Sequence, residues 1–205
     1  ALFLATQRWH RALGRRLGRV SASLVMETRP RDGSFVSFAN HLATLETELS
    51  LHRELDVPAA VRSIHGQLKR QLDRKRPIKR LLCERAIVAG MPLDKLHALV
   101  FAAKRPAFNL NFSNLIPLDF PVLAGRDWTA DEVLITTPVT PRSGIVLTVV
   151  RYHGRVCFNF NYAQTAATAQ QTAELARLYR EALEDITGVR AGDLATVALE
   201  SIQRA

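Results

Sequence analysis

Little in this sequence is suited to metal or redox chemistry. There are only two cysteines, Cys83 and Cys157. They match no metal-ligand spacing, and both read as small buried hydrophobes of a reducing, cytoplasmic protein. His10, His65 and His97 stand singly along helical segments, so no zinc site and no other metal is expected. Neither a Gly-rich phosphate loop nor a Gly-x-Ser-x-Gly elbow occurs, which argues against P-loop and α/β-hydrolase chemistry. No 18-residue run is free of charge, so no membrane span is expected. The opening does not read as a signal peptide either. Ala1 leads straight into Leu2-Phe3-Leu4-Ala5-Thr6-Gln7-Arg8-Trp9, with no Met and no positively charged region ahead of the apolar run. This opening reads as a helix already under way, and the chain is expected to begin within a longer protein.

What is present is an ordinary globular composition with a strong basic bias. The 205 residues are 47% hydrophobic and 23% charged, enough for a sizeable core in one domain or in a half-domain built to face another. The net charge is +9 and the pI about 10.4. That surplus fits acidic partners such as nucleic acid, an anionic membrane or a phosphate-bearing cofactor, or else a solvated basic surface.

Periodicity divides the chain into elements. A helix is expected over 2–17, with Leu2, Phe3, Trp9, Leu13 and Leu17 near one stripe and Gly18 as its stop. A strand follows over 20–28, closed by the turn Arg29-Pro30-Arg31-Asp32-Gly33, and a second extended run covers 35–51. The middle third is helical. Asp56-Val57-Pro58 starts the first helix, Pro77 interrupts, and a third helix runs over 93–104. Residues 108–115 alternate as a strand, 132–137 form a short one, and 145–152 with 155–162 flank His153-Gly154 as a hairpin. In its second arm Val156, Phe158, Phe160 and Tyr162 share one face, and Arg155, Cys157, Asn159 and Asn161 the other. A closing helix over 167–186 is amphipathic through Ala169, Ala173, Ala176, Tyr179, Leu183 and Ile186, with Gly188 as its cap. The expected class is α/β (α+β), a mixed β-sheet with helices packed on one face.

Three segments, in order, carry a resemblance. Residues 29–45, from Arg29 to Leu45, are similar to a Gly-x-Phe-x-Asn-x-x-x-x-Leu stretch, with Asn40 on the Asn and Ser37 where Gly is usual. Phe112-Ser113-Asn114-Leu115-Ile116-Pro117-Leu118-Asp119 resembles a Ser-Asn-Leu-Gly-Pro-Leu-Asp type of segment, with Ile116 in place of Gly. The hairpin and helix ending at Ile186 complete the layout. Together these resemble the C-terminal half of acyltransferases of the condensation-domain and chloramphenicol-acetyltransferase superfamily, including alcohol acetyltransferase and wax-ester-synthase-like relatives. The family's His-His-x-x-x-Asp-Gly motif, whose second His acts as general base, does not occur. His52-Arg53-Glu54-Leu55-Asp56 has its His-to-Asp spacing, but Leu51 precedes it and Val57 follows.

The resemblance implies one C-terminal subdomain over residues 1–205, expected to be active only with an N-terminal half or an equivalent chain that brings the histidine. The complete enzyme would move an acyl group from a thioester on coenzyme A or an acyl carrier protein to a hydroxyl or amine of a small-molecule acceptor, with no bound cofactor. Ser113 and Asn114 are the candidates on the oxyanion side of the cleft, although Asn114 equally suits backbone satisfaction at a strand end. Asn40 is expected at the junction of the halves, with His41 beside it as a surface or satisfied core histidine. Asn161-Tyr162 marks the strand-to-helix junction that corresponds to the histidine motif, and it holds no ionisable base. Lys69, Arg70, Arg74, Lys75, Arg76, Lys79, Arg80 and Arg85 form a basic stretch, either a solvated face or a dock for an acidic carrier or the phosphates of coenzyme A. A non-catalytic docking module of the same fold is the second reading. Nucleic-acid binding ranks third, because residues 66–86 contain no aromatic side chain for base stacking.

Overall fold

The computed structural model describes residues 1–27, 42–101, 110–115, 123–137, 139, 144–152, 155–189 and 197–201. A six-stranded mixed sheet, ordered β2-β1-β3-β4-β5-β6, organises them. β1 (Arg19–Glu27) pairs antiparallel with β2 (Leu42–Ser50), in register from Arg19↔Ser50 to Glu27↔Leu42. β3 (Leu110–Asn114) lies parallel to both β1 and β4 (Ile145–Tyr152). β4 and β5 (Arg155–Tyr162) form the expected hairpin, and β6 (Val197–Ser201), which no sequence signal announced, adds parallel to β5.

Alternation along the strands decides which face is covered. Val20, Ala22, Leu49 and Leu110 pack with Phe3 of α1 (Leu2–Ala12) and Ala60 of α2 (Val57–Asp73). Ile145, Leu147, Val149, Phe158, Phe160 and Tyr162 pack with Leu4, Ala5 and Trp9 of α1 and with α5 (Ala169–Thr187). All these side chains leave the sheet on the same side, so α1, α2 and α5 gather on one face. Each large side chain fully buried there contributes roughly 1.5–3 kcal/mol.

Helix boundaries follow local chemistry. Asp56 caps α2, its carboxylate accepting from the Ala59 backbone N–H at 3.1 Å. Thr168 and Gln171 form a reciprocal capping box on α5, and Gly188 (φ 72) ends it. α1 is shorter than expected. Gly14 (φ 66) turns the chain left-handed after Ala12, so the stripe breaks and Leu13 is 39% exposed. Pro77 opens α3 (Arg76–Gly90) where a break between helices was expected, which suits a residue with no N–H to leave unpaired. α4 (Leu93–Phe101) completes the helices, and residues 102–104 of that expected helix lie outside the described residues. Three further expectations fail. Residues 132–137 form no strand, Cys83 is exposed, and α5 buries Thr172, Leu175, Leu178 and Ala182 in place of Ala169 and Ala173.

The outer edge of β2 is closed by side chains. Gln67 and Gln71, one turn apart on α2, act as a substitute strand. Gln67 Nε2 donates to the Glu48 carbonyl (2.8 Å) while its Oε1 accepts from the Glu48 N–H (2.9 Å). Gln71 does the same at Glu46, donating at 2.5 Å and accepting at 3.0 Å. An unpaired edge is a template for association, and these amides block it. Removing both (Q67A/Q71A) is expected to cost about 2 kcal/mol, since the four lost bonds are worth about 1 each but the exposed backbone partly regains water. Urea unfolding reads the loss, and light scattering reads the concentration-dependent association that should accompany it.

Candidate functional site

The opposite face of the sheet is built differently. Side chains of residues paired across strands share a face. Register therefore places Ser23 beside Asn111, Asn111 beside Val146, and Val146 beside Asn161. One step along the strands, Val25 neighbours Ser113, Ser113 neighbours Thr148, and Thr148 neighbours Asn159. Hydroxyls and amides thus run across four strands. Ser23, Thr148, Asn159 and Asn161 are buried, and Asn111 and Ser113 are half-buried.

An irregular strap, residues 123–137, explains part of this burial. Tyr152 presents its hydroxyl oxygen to the Leu123 N–H (2.7 Å), Thr137 and Thr148 share a hydroxyl bond of 2.8 Å, and Asn159 Nδ2 donates to the Ile135 carbonyl (3.2 Å). Within the stretch expected to form a strand at 132–137, the Ile135 carbonyl is instead taken by Asn159 of β5 and the Thr137 hydroxyl by Thr148 of β4. Under the strap the bookkeeping is incomplete. Among the described residues, Asn159 Oδ1 and both polar atoms of Asn161 are buried without a partner, and Asn161 is 0% exposed. A buried amide left unpaired costs roughly 1–3 kcal/mol, so it calls for an explanation beyond folding.

Chemically, the rows on β1, β3, β4 and β5 can bind and orient; the carboxylates that share this face, Glu46 and Glu48 on β2, are bound to Arg80 and Arg19. Across the rows from Ser23 to Asn161 there are only hydroxyls, amides and aliphatics. Cys157 shares the face, and burial pushes its thiol pKa up, with the negative charge of Glu132 adding to the effect. It is therefore held as a thiol and is a poor nucleophile.

The other sequence candidates fall in several places. Ser113 sits mid-face, whereas Asn114, paired with Val149, belongs to the helix side of the sheet and is exposed at the end of β3, so the expected pairing of the two on one cleft wall does not hold. The next residue, Leu115, donates its N–H to the Val149 carbonyl (2.7 Å). Tyr162 points the other way from Asn161 and belongs to the helix-side core. Asn40 and His41 lie outside the described residues. Asp56 is occupied as a helix cap, and the exposed His52 ring meets the Ser50 hydroxyl, so the His-to-Asp spacing serves local structure. Lys69, Arg70, Arg74, Lys75, Arg76, Lys79, Arg80 and Arg85 are all exposed along α2 and α3, where Lys75 (φ 51) makes the turn between the helices. Arg80 is bound to Glu84 (2.7 Å) and Glu46. The strap and the glutamine edge were missed in the sequence. The only available signal for the latter was two glutamines four apart on a helix.

No protein-family model and no curated protein sequence matches this chain. Among solved structures it is similar to one described as the molecular basis for condensation domain-mediated chain release from the enacyloxin polyketide synthase. The two share 13% identity and a TM-score of 0.50 over 98% of this chain and 37% of the other. The fold is condensation-domain-like. The chain spans little more than a third of that protein's length. Among the described residues, no helix is long and apolar enough to cross a membrane and no cluster of His, Cys, Asp or Glu could hold a metal ion.

Proposed function

We propose that the polar face of this condensation-like subdomain is one wall of an acyl-transfer cleft whose general base is supplied by another stretch of polypeptide. The observation that carries the reading is the row of hydroxyls and buried amides from Ser23 to Asn161, with unpaired hydrogen-bonding atoms and no titratable base among them. Acyl transfer needs hydrogen-bond donors where the oxyanion develops, and it needs a base on the acceptor. This face supplies the first kind of group. Ser113 takes the oxyanion side, and Asn161 holds the substrate. An acyl thioester of coenzyme A or of a carrier protein is the donor, and a hydroxyl or amine is the acceptor. The exposed cations of α2 and α3 attract the phosphates or the acidic carrier over long range.

The test is reconstitution. The 205-residue chain is incubated with an acyl-pantetheine thioester and an alcohol or amine, and thiol release is followed with a chromogenic disulfide. No turnover above background is expected from the chain alone. Turnover is expected once it is fused to a half carrying His-His-x-x-x-Asp-Gly, and Ser113→Ala should lower the kcat of that fusion by about 10–100-fold. Robust thiol release by the isolated chain would overturn the assignment.

A further inference from the structure

A cavity lies at the end of α1. Its walls follow from one buried side chain. Gln7 is 2% exposed. Its Nε2 donates to the Leu51 carbonyl (3.0 Å) and the Arg53 carbonyl, and its Oε1 accepts from the Leu55 N–H (3.2 Å). The link between β2 and α2 is thereby fixed against α1. The left-handed turn at Gly14, followed by the Leu51 N–H bond to the Gly18 carbonyl (2.8 Å), brings residues 15–17 round to the same place. A cavity of about 390 Å³ results. Arg11, Arg15, Arg16 and His52 form its polar wall, and Leu17 and Leu51 its apolar part.

No carboxylate lines this cavity, and among the described residues none of the three arginines has an acidic partner. Neighbouring Arg8, by contrast, is bound to Asp185 at 2.5 Å. Attraction to the helix C-terminus does not account for the cluster. The carbonyls of Trp9, His10 and Arg11 already accept from the N–H groups of Leu13, Arg15 and Gly14. Arg15 and Arg16 also lie beyond the last turn, where the helix dipole fades. Guanidinium groups gathered round one cavity repel each other, and a bound dianion reverses the sign of that interaction. Their planar forks match phosphate oxygens two at a time. The leucines leave room for an uncharged body, and no Phe, Tyr or Trp lines the cavity for a nucleobase to stack on.

We propose that this cavity is a binding site for a small phosphate ester, separate from the polar face of the sheet. The arginines grip the phosphate, and Leu17 and Leu51 cover the organic part.

Calorimetric titration of the full chain with inorganic pyrophosphate, at constant ionic strength, tests the site. Saturable binding is expected, with a rise in Tm that equivalent chloride does not produce. Arg15→Gln with Arg16→Gln should weaken binding by at least tenfold, and Arg11→Gln alone should weaken it measurably. All three side chains are exposed or project into the cavity, so circular dichroism should be unchanged. Arg74→Gln with Arg76→Gln, on the α2–α3 surface, should leave binding intact. Two results would overturn the site: no binding beyond the chloride control, or equal weakening by the two double variants, which would mean attraction to net charge alone. Glycerol phosphate binding more tightly than inorganic phosphate would support an ester-shaped pocket, and the reverse would count against it. None of these outcomes depends on acyl transfer.

Discussion

Truncating Phe160 to alanine is expected to lower the unfolding free energy by about 3–5 kcal/mol. Phe160 is 0% exposed and sits in the middle of β5, opposite Leu147 on β4, which is also 0% exposed. Its ring meets Tyr179 of α5 edge to face, with centroids 5.6 Å apart at 75°, and Phe158 meets the same tyrosine at 5.4 Å and 68°. One tyrosine thus clamps two rungs of the strand to the helix, and such pairs add about 0.5–1.5 kcal/mol each beyond the area they bury. The same burial pushes the Tyr179 hydroxyl pKa up, as expected of a phenol kept from water. Alanine leaves a cavity that the sheet, hydrogen-bonded on both sides of β5, cannot collapse to fill. Leucine at 160 keeps most of the volume and should cost less than about 2 kcal/mol. Domains of this kind have about 5–15 kcal/mol in total, so the alanine variant should lose a large share of its folded population on mild heating. Urea unfolding followed by fluorescence of Trp9, in the same cluster, should show a lower midpoint at unchanged slope. A loss below about 1 kcal/mol would mean that α5 is not anchored here.

The contrast between the two sheet faces shows what periodicity can and cannot reveal. Val156, Phe158, Phe160 and Tyr162 alternate with Asn159 and Asn161, and that pattern alone assigns β5 its two faces correctly. The hairpin boundaries and the Asp56 helix start were equally plain, because turn and cap chemistry is local. Reading failed where an element depends on distant partners. Residues 132–137 have a strand's composition, yet their hydrogen bonds go to Thr148 and Asn159 side chains, which no local pattern encodes. β6 exists by pairing with β5 across an intervening helix. The face of α5 was misjudged by treating alanine as apolar enough to define a stripe. Leu175, Leu178 and Thr172 are buried, whereas Ala169 and Ala173 face out. For the candidate site, Ser113 and Asn161 could be named from the sequence. Their membership of one polar row could not, because it requires the register of β3, β4 and β5 together.

That row yields the sharpest test of what Asn161 is for. Replacing it with valine should raise stability by about 1–2 kcal/mol, which at this chain length raises Tm by about 2–4 °C per kcal/mol. Two unpaired polar atoms are removed from a dry environment, and a residue better suited to a strand takes their place. The neighbouring Asn159→Val should do the opposite. Its Nδ2 donates to the Ile135 carbonyl, so valine strands that carbonyl and loosens the strap, at a cost of about 1–3 kcal/mol. Two asparagines two residues apart on one strand should therefore move stability in opposite directions. A chain has no folding reason to keep the destabilising one, whereas a site that needs an amide in the cleft does. In the reconstituted fusion, Asn161→Val should accordingly lose activity while gaining stability. If Asn161→Val destabilises the chain, its amide is serving the fold. If it stabilises the chain and turnover persists, the polar row does not touch the substrate at that end, and the cleft wall must be sought nearer Ser113.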